Sequence, residues 1–302
     1  MRSAFSILLT EMVMKIGIGL PNTVPDTPGK GLLEWARQAE AAGFASLATI
    51  GRVTFPGYEE LVALAAAAGV TSKIGLFTNV LLAATRDPVL LAKEAASLDQ
   101  LSGGRFVLGV GAGGREDDFI ATERSFHNRG RRLDAAVDLM HRAWKGEPVA
   151  GSPVAIGPRP VSGDAVPMLF GGYKPAAFRR CARWGIGYTQ GGGTAESLRE
   201  LKRQVEEAWK EAAREGRPQI RALVYFALGP GSEEKARAYL DTYYQRPQIA
   251  DSIPKTSEAI QQTIAAYEAV GCDLLSFTPT SSDLDQVERL RDAVGAEVLA
   301  AV

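Results

Sequence analysis

The chain has 302 residues, 46% hydrophobic and 23% charged, a balance that supplies ample apolar material for a core and excludes disordered and fibrous classes. The 34 basic and 35 acidic residues leave a net charge of −1, so no global field favours nucleic acid or an anionic membrane. Length alone allows either two domains or one α/β barrel.

Cysteine occurs only as Cys181 and Cys272, and histidine only as His127 and His141, too few for a disulfide framework or a multi-histidine metal site. No metal is expected, and a reducing cytoplasm fits. Residues 1–13 (MRSAFSILLTEMV) lack the apolar run and small-residue cleavage site of a signal peptide, and no run is long enough to span a membrane. Because Met14 directly precedes a strand-like run, residues 1–13 read as an upstream start or a loose extension, leaving 14–302 as a single domain.

From Lys15 onward, short β-type runs alternate with longer helical patterns. Eight strands are predicted, at 15–20, 46–50, 73–80, 105–111, 167–170, 185–190, 221–228 and 273–278. Most are short, continuous and apolar, as parallel strands buried on both faces should be. Asp87 and Pro88 open a helix with Leu91, Ala95, Leu98 and Leu101 on its buried face, and Gly103 and Gly104 stop it. Thr194 and Glu196 open another with a stripe of Leu198, Leu201, Val205, Trp209 and Ala212. Ser257 and Glu258 open a third, carrying Ile260, Ile264 and Tyr267 and ending at Gly271. Eight parallel units joined by right-handed crossovers close naturally into a (β/α)8 barrel, whereas open doubly wound sheets usually have fewer strands. The Gly- and Pro-rich stretch 146–166 cannot hold a regular crossover helix and reads as an insertion before strand 5.

Gly109, Gly111 and Gly114 formally match G-x-G-x-x-G, a nicotinamide dinucleotide fingerprint. No helical pattern follows at once; the next is expected near Arg129. Glycines that let a ligand approach a strand end explain the run better. At Phe170-Gly171-Gly172-Tyr173-Lys174-Pro175 a strand ends in two glycines, a lysine and a helix-starting proline. This is either a phosphate cradle, with free backbone N–H groups, a helix N-terminus and a full charge, or a tight turn with a solvated lysine. Gly191–Gly193 after the next strand carries the same two readings. Neither histidine has a ligand or base at a diagnostic spacing, the acidic triplet 116–118 reads as a helix-start or loop feature, and both cysteines read as buried small hydrophobes.

Several blocks together resemble the bacterial luciferase-like flavin or deazaflavin oxidoreductases over nearly the whole chain. The most specific is NVLLAATRDP (79–88), leading into AKEAASLDQLSGGRFVLGVG (92–111), which resembles the family's strand 3, helix 3 and strand 4. KIGIGLP (15–21), AGFASL (42–47) and Gly171-Gly172 support it. The resemblance implies a (β/α)8 barrel with an isoalloxazine or deazaflavin ring above the carboxyl ends of the strands. It also implies a non-prolyl cis peptide at Asn79–Val80. Cofactor contacts are implied at Asn79, Val80, Gly111, Ala112, Gly113, Gly171, Gly172, Tyr173, Lys174, Gln190 and Gly191.

One departure matters. Where many family members carry an acidic residue and a histidine after strand 2, this chain has Gly51-Arg52. Histidine acid/base chemistry from that place is unavailable. Arg52, the one catalytic candidate, either binds an anionic substrate or stabilises negative charge on a reduced ring, or is a rim arginine paired with a carboxylate. The function implied is an FMN- or F420-dependent oxidoreductase, a monooxygenase or hydride-transfer enzyme acting on a small organic substrate. A homodimer is implied too, with the apolar residues 61–68 either at its interface or packed on the barrel. The alternatives are a nicotinamide-dependent dehydrogenase and a non-catalytic flavin-binding barrel.

Overall fold

The computed structural model describes residues 14–300; the expected extension 1–13 lies outside the described residues. Strands run at β1 (Lys15–Gly19), β2 (Ser46–Thr49), β3 (Gly75–Thr78), β4 (Leu81–Leu82), β5 (Phe106–Gly111), β6 (Met168–Gly171), β7 (Gly187–Gln190), β8 (Gln219–Phe226) and β9 (Leu274–Pro279). Helices are α1 (Gly29–Ala41), α2 (Glu60–Ala68), α3 (Pro88–Ser102), α4 (Glu116–Ala121), α5 (Arg129–Trp144), α6 (Pro175–Trp184), α7 (Ala195–Glu211), α8 (Ser232–Tyr244), α9 (Ser257–Ala269), α10 (Asp285–Val294) and α11 (Ala296–Ala300). All pairings are parallel. They run β3-β2-β1-β9-β8-β7-β6-β5, and β3 also pairs with β5, at Leu76 opposite Phe106, so the ring closes as an eight-stranded (β/α)8 barrel.

Each of the eight strands read from the sequence is present. The third is interrupted: the cis peptide Asn79–Val80 ends β3, and the chain resumes as β4, which pairs with β5 at Leu81 opposite Val110. Helix α3 obeys its expected caps, whereas α9 is capped by Thr256, one residue before the expected Ser257. Asp87 accepts from the N–H groups of Val89 and Leu90, and Gly103 closes α3 in the left-handed conformation at φ 67°. The face of α3 differs from expectation at one residue, because Leu101 is 72% exposed while Ser102 is buried. From Leu91, eleven positions pass three full turns by about 20°, whereas ten fall about 80° short. Ala212 likewise lies past the end of α7 and is exposed. A short helix, α4, starts five residues after β5, where the sequence pattern led only to polar loop; six residues are too few to show a period.

Three packed regions hold the barrel, one of them a layer of Ile50, Leu223, Tyr225, Tyr239 and Leu240 beneath α8. Outside the strands, side chains such as Ile16, Ile18, Trp35, Leu64 and Leu91 fill the layer beneath the helices. Inside, Ala48, Phe77, Leu169 and Leu274 meet from strands that are not all neighbours, and Arg221 lays its guanidinium 5.1 Å from the centre of the Phe77 ring. Burial pushes the Arg221 guanidinium down to about 10. The irregular stretch 146–166 takes the side of the amino ends and binds α3. Lys93 Nζ donates to the Gly157 carbonyl (2.8 Å), Gln100 to that of Arg159 (2.7 Å), and the Val161 N–H to Asp99 (2.7 Å). In α2 the residues Leu61, Ala63, Leu64, Ala67 and Ala68 are buried on the barrel itself.

Candidate active site at the carboxyl ends of the strands

A cavity of about 630 Å³ opens over the carboxyl ends of the strands, within the range of roughly 300–1,000 Å³ usual for small-molecule sites. One half is backbone and glycine: Gly111, Ala112, Gly113, Gly171, Gly172, Gly191 and the Asn79–Val80 bulge. The other half is side chain: Ile50, Arg52, Arg115, Leu223, Tyr243 and Tyr244.

The glycines make room for the bulge. A β-carbon at Gly111 would stand 2.7 Å from a Val80 methyl, and one at Gly171 would stand 3.1 Å from the other. One at Gly109 would run into the Thr78 carbonyl, while the Thr78 hydroxyl donates to the Gly109 carbonyl at 2.7 Å. At Gly113, φ is 80° and a β-carbon would meet the Phe119 ring at 2.9 Å. The first two glycines of the G-x-G-x-x-G run, Gly109 and Gly111, therefore record close packing against Thr78 and Val80, while a β-carbon at the third, Gly114, would meet nothing, in a strand that feeds a barrel and not a dinucleotide-binding half-sheet.

Beside the bulge, Asn79 is buried and its Oδ1 accepts from Thr189 Oγ1 at 2.8 Å, while its Nδ2 has no protein partner. A buried, unpaired amide donor at a cavity wall is costly unless a ligand accepts from it. The β6–α6 turn is held by two hydroxyls, Tyr188 to the Gly172 carbonyl (3.0 Å) and Tyr173 to the carbonyls of Gly191 (3.1 Å) and Gly192 (3.2 Å). Gly172 has φ 131°, out of reach for most side chains. Lys174 caps α6 without a side-chain cap bond, Pro175 starts it, and Arg129 and Arg180 stand in the adjoining wall. Arg180 is paired with Asp134 at 2.5 Å, whereas Arg129 donates to the Gly113 and Phe126 carbonyls.

The side-chain half is assembled from distant parts of the chain. Arg52 is paired with Asp117 and lies 3.6 Å from Asp118. Buried Asp118 accepts from the N–H groups of Val53 (2.8 Å) and Thr54 (2.9 Å), so α4 clamps the loop after β2. Burial opposes ionisation of Asp117, but hydrogen bonds from Arg52 and Thr54 prevail and hold its carboxyl below the usual range. Gly51 is required there: a β-carbon would collide with the carboxyl of buried Glu60, which Arg86 grips at 2.9 Å. Desolvation raises the Glu60 carboxyl to about 7 despite Arg86. Tyr243 stacks on Tyr239 (5.7 Å between ring centres) and meets Phe55 edge-on (4.9 Å), and the Tyr244 hydroxyl is 2.9 Å from that of Tyr225. Burial raises all four tyrosine hydroxyls, which stay neutral donors.

Among the residues singled out from the sequence, Arg52, Asn79, Val80, Gly111, Ala112, Gly113, Gly171, Gly172, Tyr173, Lys174 and Gly191 come together in the cavity wall. Gln190 does not. Its Nε2 donates to Ser197 of α7 at 2.6 Å, so its side chain leaves the barrel, and strand alternation gives the wall to Thr189. Arg115, Tyr243 and Tyr244 belong to no motif, and only the fold reveals them. His127 is exposed in its loop, His141 lies edge-on to Trp144 at 5.4 Å with burial lowering its imidazole, and burial pushes both free thiols up to about 12. Among the described residues no His, Cys, Asp and Glu cluster suits a metal ion, and no helix is long and apolar enough to cross a membrane.

A family model described as luciferase-like monooxygenase matches residues 14–288. An uncharacterized protein of Mycobacterium tuberculosis is 29% identical over 208 residues, covering 59% of this chain and 71% of that one. Among solved structures, an F420-dependent secondary alcohol dehydrogenase in complex with an F420–acetone adduct superposes with a TM-score of 0.76 at 18% identity, over 94% of this chain and 99% of that chain. The oxygenating constituent of 3,6-diketocamphane monooxygenase from Pseudomonas putida, in complex with FMN, gives 0.74 at 16% identity over 96% and 99%. At such identities these two likenesses concern the fold.

Proposed function

The chain belongs to the luciferase-like monooxygenase family, and from that premise we propose that it is an oxidoreductase that holds FMN or F420 in the glycine half of the cavity and turns over a small organic substrate in the other half. The observation that carries this reading is the unpaired, buried Asn79 amide beside the Asn79–Val80 bulge. A flat heteroaromatic ring with carbonyl and nitrogen acceptors satisfies such a donor, with Val80 behind it. Gly111, Gly113, Gly171 and Gly191 let that ring and its chain lie against backbone, and Lys174, Arg129 and the positive end of α6 suit a phosphate.

When bound, reduced FMN would supply oxygen chemistry and reduced F420 a hydride. The chain's own residues orient and exclude water. Asn79 Nδ2 donates to the ring edge, and Ile50, Leu223 and the tyrosine rings keep the reacting face dry. Arg52, its charge matched by Asp117 and Asp118, fixes the loop that walls the substrate side and acts as a positioning residue. Arg52→Ala should therefore raise KM about tenfold with kcat changed less than threefold; a selective collapse of kcat would make Arg52 catalytic.

Separate fluorescence titrations with FMN, F420 and NADPH test the main reading. Tight binding of FMN or F420 is expected, and tight binding of NADPH alone would overturn it in favour of a nicotinamide enzyme. Cofactor binding without turnover across oxygen-dependent and oxygen-free substrate panels would favour a flavin-binding barrel. A homodimer is part of the proposal. Since the inner face of α2 is used by the barrel, its surface would be Val62 of α2 with Leu90 of α3, 65% and 54% exposed; sedimentation of Val62→Asp against the parent protein checks it.

A further inference from the structure

The side-chain half of the cavity holds one guanidinium that no carboxylate among the described residues neutralises. Arg52 faces Asp117 and Asp118, and Arg180 faces Asp134. Arg115, half-buried in the loop after β5, has no carboxylate partner among the described residues. Its Nη1 donates to the Tyr243 carbonyl at 2.5 Å, and its guanidinium lies 5.3 Å from the ring centres of both Tyr243 and Tyr244. One of its five donors is thereby used. A half-buried guanidinium facing a cavity without a counter-charge favours an anionic guest, and a ligand carboxylate is the geometry its fork matches. The neighbouring tyrosine hydroxyls stay neutral through burial, so they contribute no competing negative charge.

The walls around this charge are flat and fixed. Tyr243 is held between Tyr239 and Phe55, and Tyr244 is tied to Tyr225. Leu223 and Ile50 close the apolar side. Rings whose positions are already set favour a planar guest, by offset or edge-on contact.

We propose that this half of the cavity is a subsite for an aromatic carboxylate, with Arg115 binding the carboxylate and Tyr243 and Tyr244 contacting the ring. The proposal gives the substrate class of the oxidoreductase reading above and rests on it for the reaction, though not for the binding. Charge-assisted bonds to a guanidinium set the expected effects at tenfold or more.

Calorimetric titration of the apo and FMN-loaded protein with benzoate, benzamide and cyclohexanecarboxylate tests it. Benzoate should bind at least about tenfold more tightly than either of the others. Arg115→Gln should remove the preference over benzamide and leave FMN affinity within about threefold; Tyr243→Leu should remove the preference over cyclohexanecarboxylate. Should Arg115→Gln fail to fold, Arg115→Lys keeps the charge and should retain part of the carboxylate preference. Equal binding of benzoate and benzamide, or unchanged benzoate binding in Arg115→Gln, overturns the subsite. So does a loss of F420 affinity in Arg115→Gln with benzoate binding intact, which would assign the charge to the carboxylates of that cofactor's tail. Because benzoate binding is also read on the apo protein, failure of every cofactor to bind would count against the oxidoreductase reading and leave the subsite to its own result.

Discussion

The two halves of the cavity are built on opposite principles. In the glycine half, side chains are removed so that backbone and the Val80 methyls can pack, and three glycines spaced along β5 and β6 answer one bulge. In the aromatic half, Arg115 from the loop after β5 and Tyr243 and Tyr244 from the end of α8 converge across more than a hundred residues of sequence. The first arrangement suits a ligand gripped through a shape that does not change. The second, made of exchangeable side chains, suits selection among substrates.

Four changes would break or sharpen that contrast. The largest effect is expected for Gly109→Ala, whose methyl would occupy the Thr78 carbonyl. Because the obstacle is backbone, a cost of about 4 kcal/mol or more is expected, read as lost soluble protein or a collapsed denaturation midpoint. Parent-like stability would remove the packing account of the glycine half.

Next comes Glu60, beneath the aromatic half. Its folded-state carboxyl titrates near 7 against an ordinary 4.5, raised by burial. Its contribution to stability is thus fully present below the unfolded value and is lost as pH rises to about 7, a change of roughly 3 kcal/mol. Urea denaturation at pH 5 and pH 8 should show that slope in the parent and a flatter one in Glu60→Gln; identical slopes would place the titration elsewhere.

Lys174→Glu places a carboxylate at the proposed phosphate position, on extended backbone that any residue adopts. Cofactor affinity should fall about a hundredfold, near 2.7 kcal/mol, with the circular dichroism spectrum retained. Unchanged affinity would move the phosphate to another part of the rim. The smallest effect belongs to Tyr244→Phe, which removes one hydroxyl pair with Tyr225 at 2.9 Å. About 1 kcal/mol of stability should be lost with no change in cofactor affinity, separating the two halves.

The barrel was legible because buried parallel strands write themselves as short apolar runs, and the eight runs survive in the structure with their order intact. The glycine half was legible for a related reason: a residue absent of side chain is visible in sequence, and so is its spacing. What the spacing did not reveal was its cause, since Gly109, Gly111 and Gly114 fit a dinucleotide fingerprint until Thr78 and Val80 are seen against the strand. The resemblance implied a cofactor contact at Gln190, but its side chain turns to Ser197 and the neighbouring Thr189 faces the cavity, as a side chain at a strand end turns in or out on a single step. Arg115 and the paired tyrosines carried no local signal because their meaning lies in a contact between α8 and the loop after β5. For Arg52 the pairing with a carboxylate was among the sequence readings, but not that Asp117 and Asp118 supply it.

The plug formed by Val80 has a kinetic reading. Its methyls lie against Gly111 and Gly171, and below them Phe77, Leu169, Leu274 and Arg221 fill the barrel toward its other end. A vessel with a solid floor has a single mouth: whatever rests on Val80 can enter and leave only on the side of the carboxyl ends of the strands.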